Sequence, residues 1–249
     1  MSMNFKAARG FIKSWLIYYG KPFGFSRSIS FYRTFITPGM LCFDIGAHLG
    51  NRTTVWLRLG ASVVAAEPQP VCIQYLQKKF GNNSKVFIIP KAIAAQIDRK
   101  TIHISSLNPA VSTLSETVWM NRMHEAASFN LKWDTSIEVE TTSLDHLIKQ
   151  FGLPGFCKID TEGYELNVLK GLSNPIPLLC FEVISVNKEL VEPCVDKLCS
   201  LGNYEFNWSV AESLKFHLEK WTDKTGILYS INQYSKKIFS GDIYARLIQ

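Results

Sequence analysis

The stretch MLCFDIGAHLG, residues 40–50, constrains this chain more than any other part of it. An apolar run (Leu41, Cys42, Phe43) ends in Asp44 and then in two glycines, Gly46 and Gly50. Asn51, Thr53 and Thr54 follow as helix-starting residues, and Val55, Trp56, Leu57 and Leu59 continue as an apolar helical pattern. This predicts a buried strand, a tight turn and a helix whose N-terminus faces a ligand. Glycine at the turn lets the backbone approach that ligand with no Cβ in the way. The next predicted strand, Ser62 to Ala66, runs into Glu67-Pro68. Glu67 stands 21 positions beyond Gly46, where doubly wound sheets carry the acid that holds a ribose diol.

A dinucleotide fingerprint needs glycine at three positions. Aligned on Gly46, the second and third fall on His48 and Asn51. A pyrophosphate requires close backbone approach at the second position, and a histidine Cβ hinders it. S-adenosylmethionine carries a ribose and no phosphate, so a looser loop serves it. The stretch therefore favours that cofactor over a phosphate-bearing one and over a purely structural glycine turn.

At 249 residues the chain suits one large α/β domain with room for an insertion and a short appendage. Apolar content of 47% is enough for a full core. No apolar run approaches the ~18–20 residues of a spanning helix, and no signal-peptide pattern opens the chain. Charge is uneven: residues 1–37 hold six basic residues (Lys6, Arg9, Lys13, Lys21, Arg27, Arg33) and no acid, leaving 27 − 6 = 21 basic against 21 acidic residues in the remainder. A neutral body argues against nucleic acid as a partner. The basic arm, with Phe5, Ile12, Trp15, Leu16 and Tyr19 available to one helical face, either packs on the sheet edge or touches an anionic membrane or a carrier-bound substrate. The expected division is an arm at 1–37, ending in a linker over Gly20 to Ser30, and a single domain at 38–249. Six cysteines occur without a C-x-x-C pair, which points to reduced thiols and a cytoplasmic protein, with the inner membrane face as the alternative site of the arm.

The βα rhythm continues through a predicted helix from Gln69 to Phe80 and a strand from Lys85 to Pro90. Ligands lie outside strand carboxyl ends in such sheets, which places Lys91 and Ala92 near the adenine. Lys100 to Ser105 alternates like a half-buried strand, with Ile102 and Ile104 on one face and His103 on the other. The rhythm then stops in an insertion around 106–135, helical from Ser115 to Phe129 and rich in Trp and Met, which either roofs an acceptor pocket or simply packs. Ser143 caps a helix after a short strand at Glu138 to Thr142. Later on, Asn187 to Leu201 reads as a helix, Tyr204 to Trp208 and Gly226 to Ile231 as late antiparallel strands, and Gly241 to Ala245 as a terminal segment.

A second chemical stretch, FCKIDTEGYELNVLKG at 156–171, repeats the grammar of the first. A short strand ends in Asp160, Thr161 is placed to cap a helix through Glu162, Tyr164 and Glu165, and Gly171 stops it. Glu165 fits the ordinary preference for carboxylates in a first helical turn. Asp160 ends a buried strand beside the cleft, where a carboxylate can bind an ammonium or orient an acceptor hydroxyl. LLCFEV at 178–183 is another buried strand, with Glu182 near its carboxyl end.

Taken together, FDIGAHLG, the Glu67-Pro68 pair, TTSLDHLI, the D-x-E-G-x-E core at Asp160, Glu162, Gly163 and Glu165, LLCFEV and GDIYA resemble the FkbM-type methyltransferases over roughly residues 40–245. The resemblance implies a Rossmann-like α/β fold with seven strands in a mostly parallel sheet, S-adenosylmethionine as donor, and O-methylation of a hydroxyl on a sugar or secondary metabolite. It implies a cofactor site from Asp44, Gly46, Ala47, His48, Gly50, Asn51, Glu67, Pro68, Ala92 and Asp160. Asp160 first and Glu162 second would serve as catalytic carboxylates. His48 stands where the family more usually has asparagine, a residue that tolerates positive φ. Acids are plentiful, but no set is assignable from sequence as an oxygen cage, so no metal is expected, with Mg²⁺ the alternative. The rival classes are a non-catalytic scaffold of the same fold and a nicotinamide oxidoreductase; a nucleic-acid methyltransferase lacks its N/D-P-P-Y/F motif here.

Overall fold

The structure is a computed structural model and describes residues 24–115, 117–126, 131–234 and 239–248. The amphipathic stretch at 5–19 lies outside them. The linker expected up to Ser30 is in part a helix, α1 (Gly24–Tyr32). Its Phe31 and Tyr32, with Ile36 beyond its end, are buried against the sheet. Burial of large rings outweighs the weak helix propensity of a Gly/Ser-rich segment.

From residue 41 the chain alternates strand and helix: β1 (Leu41–Ile45), α2 (Asn51–Arg58), β2 (Ser62–Ala66), α3 (Pro70–Phe80) and β3 (Val86–Ile89). Two strands, β4 (Ala92–Ile93) and β5 (Arg99–Ile104), lead into the insertion, whose helix α4 spans Thr117–Ala126. It returns by β6 (Thr135–Thr142) to α5 (Leu144–Phe151), β7 (Phe156–Ile159), α6 (Glu165–Lys170) and β8 (Leu178–Ile184). A 3₁₀ turn at Ser185–Leu190 precedes α7 (Val191–Cys199), so the helix expected from Asn187 is split. The chain ends in β9 (Tyr204–Val210), α8 (Lys224–Gln233) and β10 (Ser240–Leu247).

Seven strands form one sheet in the order β3-β2-β1-β7-β8-β10-β9. The first five are mutually parallel, and β10 runs antiparallel between β8 and β9. Short strands such as SVVAA are almost wholly apolar because both faces are covered, and FCKI breaks the pattern only at the buried Lys158. One core holds Phe43, Ile45, Ile159, Phe181 and Trp208; the opposite one holds Cys42, Trp56, Phe156, Cys180 and Tyr244 beneath α1 and α2. β4, β6 and β5 form a separate three-stranded sheet beside the cleft. Among the described residues no helix is long and apolar enough to cross a membrane. The six cysteines are unpaired, and all but Cys199 are buried.

Gly226 to Ile231, expected as a strand, is helical. The Asp223 carboxylate accepts a 2.8 Å bond from Gly226 N and caps α8. Strand alternation would bury Ile227, Tyr229 and Ile231 together. Instead Ile227 and Ile231, one helical turn apart, are buried while Tyr229 is 67% exposed.

Register explains where charge gathers. Ile159 pairs with Phe181, and Asp242 with Glu182, so Asp160, Glu182 and Asp242 fall in one row at the carboxyl end of the sheet. Lys158 lies one step behind on the same face, buried, with its ammonium 2.7 Å from Asp242 and 3.1 Å from Asp160. Burial alone would depress that ammonium; Asp160 and Asp242 outweigh it and hold its pKa above the ordinary value. Removing one member of a buried pair strands the other. Lys158→Met should therefore cost about 3–5 kcal/mol in urea unfolding, and Lys158→Met/Asp242→Leu should recover most of it. A single variant within about 1 kcal/mol of wild type would show the pair is solvated.

Candidate functional site

The turn after β1 is built by backbone bonds to β2. Gly46 N and Ala47 N both donate to Ala66 O at 3.0 Å. Gly46 is left-handed, and a Cβ on it would stand 1.9 Å from the carbonyl oxygen of Asp160, so the β1 and β7 turns touch backbone to backbone. His48 adopts φ +48°, and its N–H donates to Glu67 Oε2 at 2.9 Å. Gly50 is also left-handed, but its missing Cβ makes room for Phe80 and Leu76 of α3. Asp44 Oδ2 accepts from Thr53 N (3.1 Å) and Thr53 Oγ1 (2.6 Å), tying the first turn of α2 to β1.

The structure thus divides the residues singled out in this loop. Gly46, His48, Glu67, Pro68, Ala92, Asp160 and Glu162 line a narrow cleft at the carboxyl ends of the strands. Asp44, Ala47, Gly50 and Asn51 are not among the residues that line it. Glu67 is buried, and both its oxygens are held by backbone N–H groups, Oε2 by His48 and Oε1 by Gln69 at 2.9 Å. Burial lifts its pKa to about 7 against the pull of those bonds. Burial also depresses His48 to about 4 and keeps the imidazole neutral.

Ile93 and Ile102 form an apolar wall opposite, and Ala110, Ser112 and Leu114 of the insertion close the top. Gln69 pins that roof: its Nε2 donates to Pro109 O at 3.2 Å, and its Oε1 accepts from Ser112 Oγ at 3.1 Å. Nothing local in the sequence marks Gln69 for this, since it reads as a helix start. Lys91 lines the cleft but is paired with Glu140 at 2.9 Å. His103 is not among the residues lining it.

The second turn departs from expectation. Thr161 does not cap a helix, because Glu162 (φ +55°) and Gly163 (φ +89°) are left-handed and α6 begins only at Glu165. Glu165 Oε1 accepts from Thr161 N (2.9 Å), Thr161 Oγ1 (3.1 Å) and Gly163 N (3.2 Å), so it locks the turn. The insertion grips the same turn from above, where Thr113 Oγ1 donates to Glu162 O at 2.7 Å. Trp119 covers Gly163, at which a Cβ would meet the indole nitrogen at 2.2 Å.

Carboxylate oxygens of Asp160, Glu162 and Glu182 come within 4.8 Å of one another. Burial first, then mutual repulsion, drives Glu162 and Glu182 well above the ordinary carboxylate range. An open groove adjoins this cluster past Trp119 and Gly163, and Lys100, Arg122, Tyr164, Asn167 and Asn187 line it. Arg122 is ion-paired with Glu189 across the groove.

A family model, the methyltransferase FkbM domain, matches residues 44–203. Hexuronic acid methyltransferase AglP of Haloferax volcanii is 24% identical over 159 residues, a match that spans 63% of this chain and 60% of that protein. Solved structures overlap more loosely. A TehB-like SAM-dependent methyltransferase from Corynebacterium glutamicum gives a TM-score of 0.49 at 10% identity over 98% of this chain and 100% of that one. Precorrin-6y C5,15-methyltransferase from Geobacter metallireducens gives 0.46 at 9% identity over 89% and 87%. With the family match covering residues 44–203, the chain belongs to the FkbM methyltransferase family, whose methyl donor is S-adenosylmethionine.

Proposed function

We propose that the chain O-methylates a hydroxyl of a sugar or glycan. The observation that carries this reading is the pairing of two unlike halves in one cleft. A buried acid, Glu67, and an apolar wall stand on one side; carboxylates and an amide-, aromatic- and cation-lined groove stand on the other. The distant relative named for hexuronic acids supports a sugar acceptor, and Lys100 in the groove is suited to an acidic one.

The residues fit the cofactor. Glu67 has both oxygens fixed from the backbone side, which aims its remaining lone pairs at the cleft, where a ribose diol needs acceptors. Ala92, Ile93 and Ile102 suit an adenine, and Gly46 with Asp160 borders the amino-acid end. When bound, the cofactor supplies a methyl group on a sulfonium. The chain's part is then orientation and exclusion of water. The Gln69-pinned roof closes one side, and Trp119 over Gly163 narrows the path to the groove. Asp160 or Glu162 takes the proton of the acceptor hydroxyl at a carboxylate oxygen.

Two measurements test this. Labelled methyl transfer from S-adenosylmethionine to a uronic-acid-containing oligosaccharide should fall by at least ~100-fold in Asp160→Asn with an unchanged circular dichroism spectrum; near-normal turnover removes Asp160 from the reaction. The second follows from Glu67. Its carboxylate, raised to about 7 in the free protein, must ionise to accept both ribose hydroxyls, so binding releases a proton. Calorimetric affinity for S-adenosylhomocysteine should rise about tenfold from pH 6 to pH 8, and Glu67→Gln should bind more weakly with a flat profile. The same slope surviving in the glutamine variant would place the titrating group elsewhere.

A further inference from the structure

We propose that Asp160, Glu162 and Glu182 hold a divalent cation beside the acceptor groove. Their carboxylate oxygens lie within 4.8 Å of one another. Two oxygens facing each other across a cation stand at most about 4.2 Å apart for Mg²⁺ and about 5 Å for Ca²⁺. The cluster is therefore at Ca²⁺ scale as it stands, and drawing the oxygens in by about 0.6 Å brings it to Mg²⁺ scale. All three donors are hard oxygens, the type such ions take.

A second observation separates this cluster from a merely acidic surface. Glu182 Oε2 is fully enclosed, and among the described residues no hydrogen bond reaches it. A buried carboxylate oxygen with no partner is costly, and a fold keeps one where something else satisfies it. The nearest cation does not do so, because it is already engaged. Lys158 divides its ammonium between Asp242 and Asp160. Glu165 Oε1 holds three donors of the turn. When all are ionised, Asp160, Asp242, Glu162 and Glu182 face one ammonium, and a dication in the three-carboxylate niche balances them in place of protons. Asp160 keeps 34% of its side chain exposed, which leaves a side of the niche open for water or an acceptor oxygen.

The cation's role rests on the methyltransferase reading. A hydroxyl bound to a hard cation is more acidic and is held in one place, so the proton reaches a carboxylate more readily. The site itself stands on the geometry alone.

Mn²⁺ titrated into the purified full-length chain, followed by loss of the free-ion paramagnetic resonance signal, tests the site without an assay of activity. One Mn²⁺ per chain should bind, competed by Mg²⁺, and Glu182→Gln and Glu162→Gln should each weaken it at least ~10-fold. The Glu67→Gln variant, altered elsewhere in the cleft, should bind Mn²⁺ as wild type does. Absence of a saturable site in folded wild-type protein, or unchanged Mn²⁺ affinity in Glu182→Gln, overturns the proposal in favour of protonated acids. S-adenosylhomocysteine titrated in parallel separates the two readings. Cofactor binding without Mn²⁺ binding sinks the cation site alone, whereas Mn²⁺ binding without cofactor binding supports the site and sinks the methyltransferase reading.

Discussion

The site depends on a single ammonium. Lys158 sits on a central parallel strand, buried, and reaches across β8 to Asp242 on the antiparallel strand β10. A lysine there is costly to desolvate, and only the two carboxylates beside it keep it charged. In return it fixes Asp160 at the mouth of the sheet and ties β10 into its place between β8 and β9. The same pair therefore bears on topology and on chemistry. Without it the row formed by Asp160, Glu182 and Asp242 would be carboxylates alone, and repulsion would open the carboxyl end of the sheet where the cleft forms.

The insertion completes what the sheet begins. A parallel sheet by itself presents strand ends and turns, open to water on the ligand side. Here Ser112 binds the Gln69 side chain, Thr113 binds the carbonyl of Glu162, and Trp133 Nε1 donates to Val111 O within the roof itself. These are side-chain bonds to backbone or amide groups across long sequence separations. They fix the roof to the chain after β2 and to the turn after β7 at once. The cleft and the groove thus share one covering element, and Leu114 lines both.

Much of the frame was legible because its signals are local. The strand–turn–helix at Leu41–Arg58, the acid at Glu67 and the capping of α5 by Ser143 (3.1 Å from His146 N) are each written within a few residues. The rest was not legible, for physical reasons. The stretch GILYSI satisfies strand and helix patterns alike, and only the Asp223 cap with the exposure of Tyr229 decides for a helix. Glu182 read as a buried-strand residue because its company with Asp160 and Glu162 arises from register between β7 and β8, across 22 positions of sequence. Gln69 acts through a side chain whose partners lie about 40 residues away.

One device appears twice in the cleft and explains why two acids that look alike differ in use. Each strand-end turn forces a non-glycine residue into left-handed backbone, His48 after β1 and Glu162 after β7. Such a conformation costs on the order of 1 kcal/mol and persists only where neighbours overdetermine it. In both turns a downstream glutamate does this by accepting backbone N–H groups, Glu67 from His48 and Gln69, and Glu165 from Thr161 and Gly163. Each is also lifted to about 7 by burial. The difference lies in what remains free. Glu67 uses one bond per oxygen and faces the cleft, so it can hold a ligand as well as the turn. Glu165 gathers three donors on one oxygen behind Gly163 and does not line the cofactor cleft, so its work is to hold Glu162 in the position from which the carboxylate meets Asp160 and Glu182.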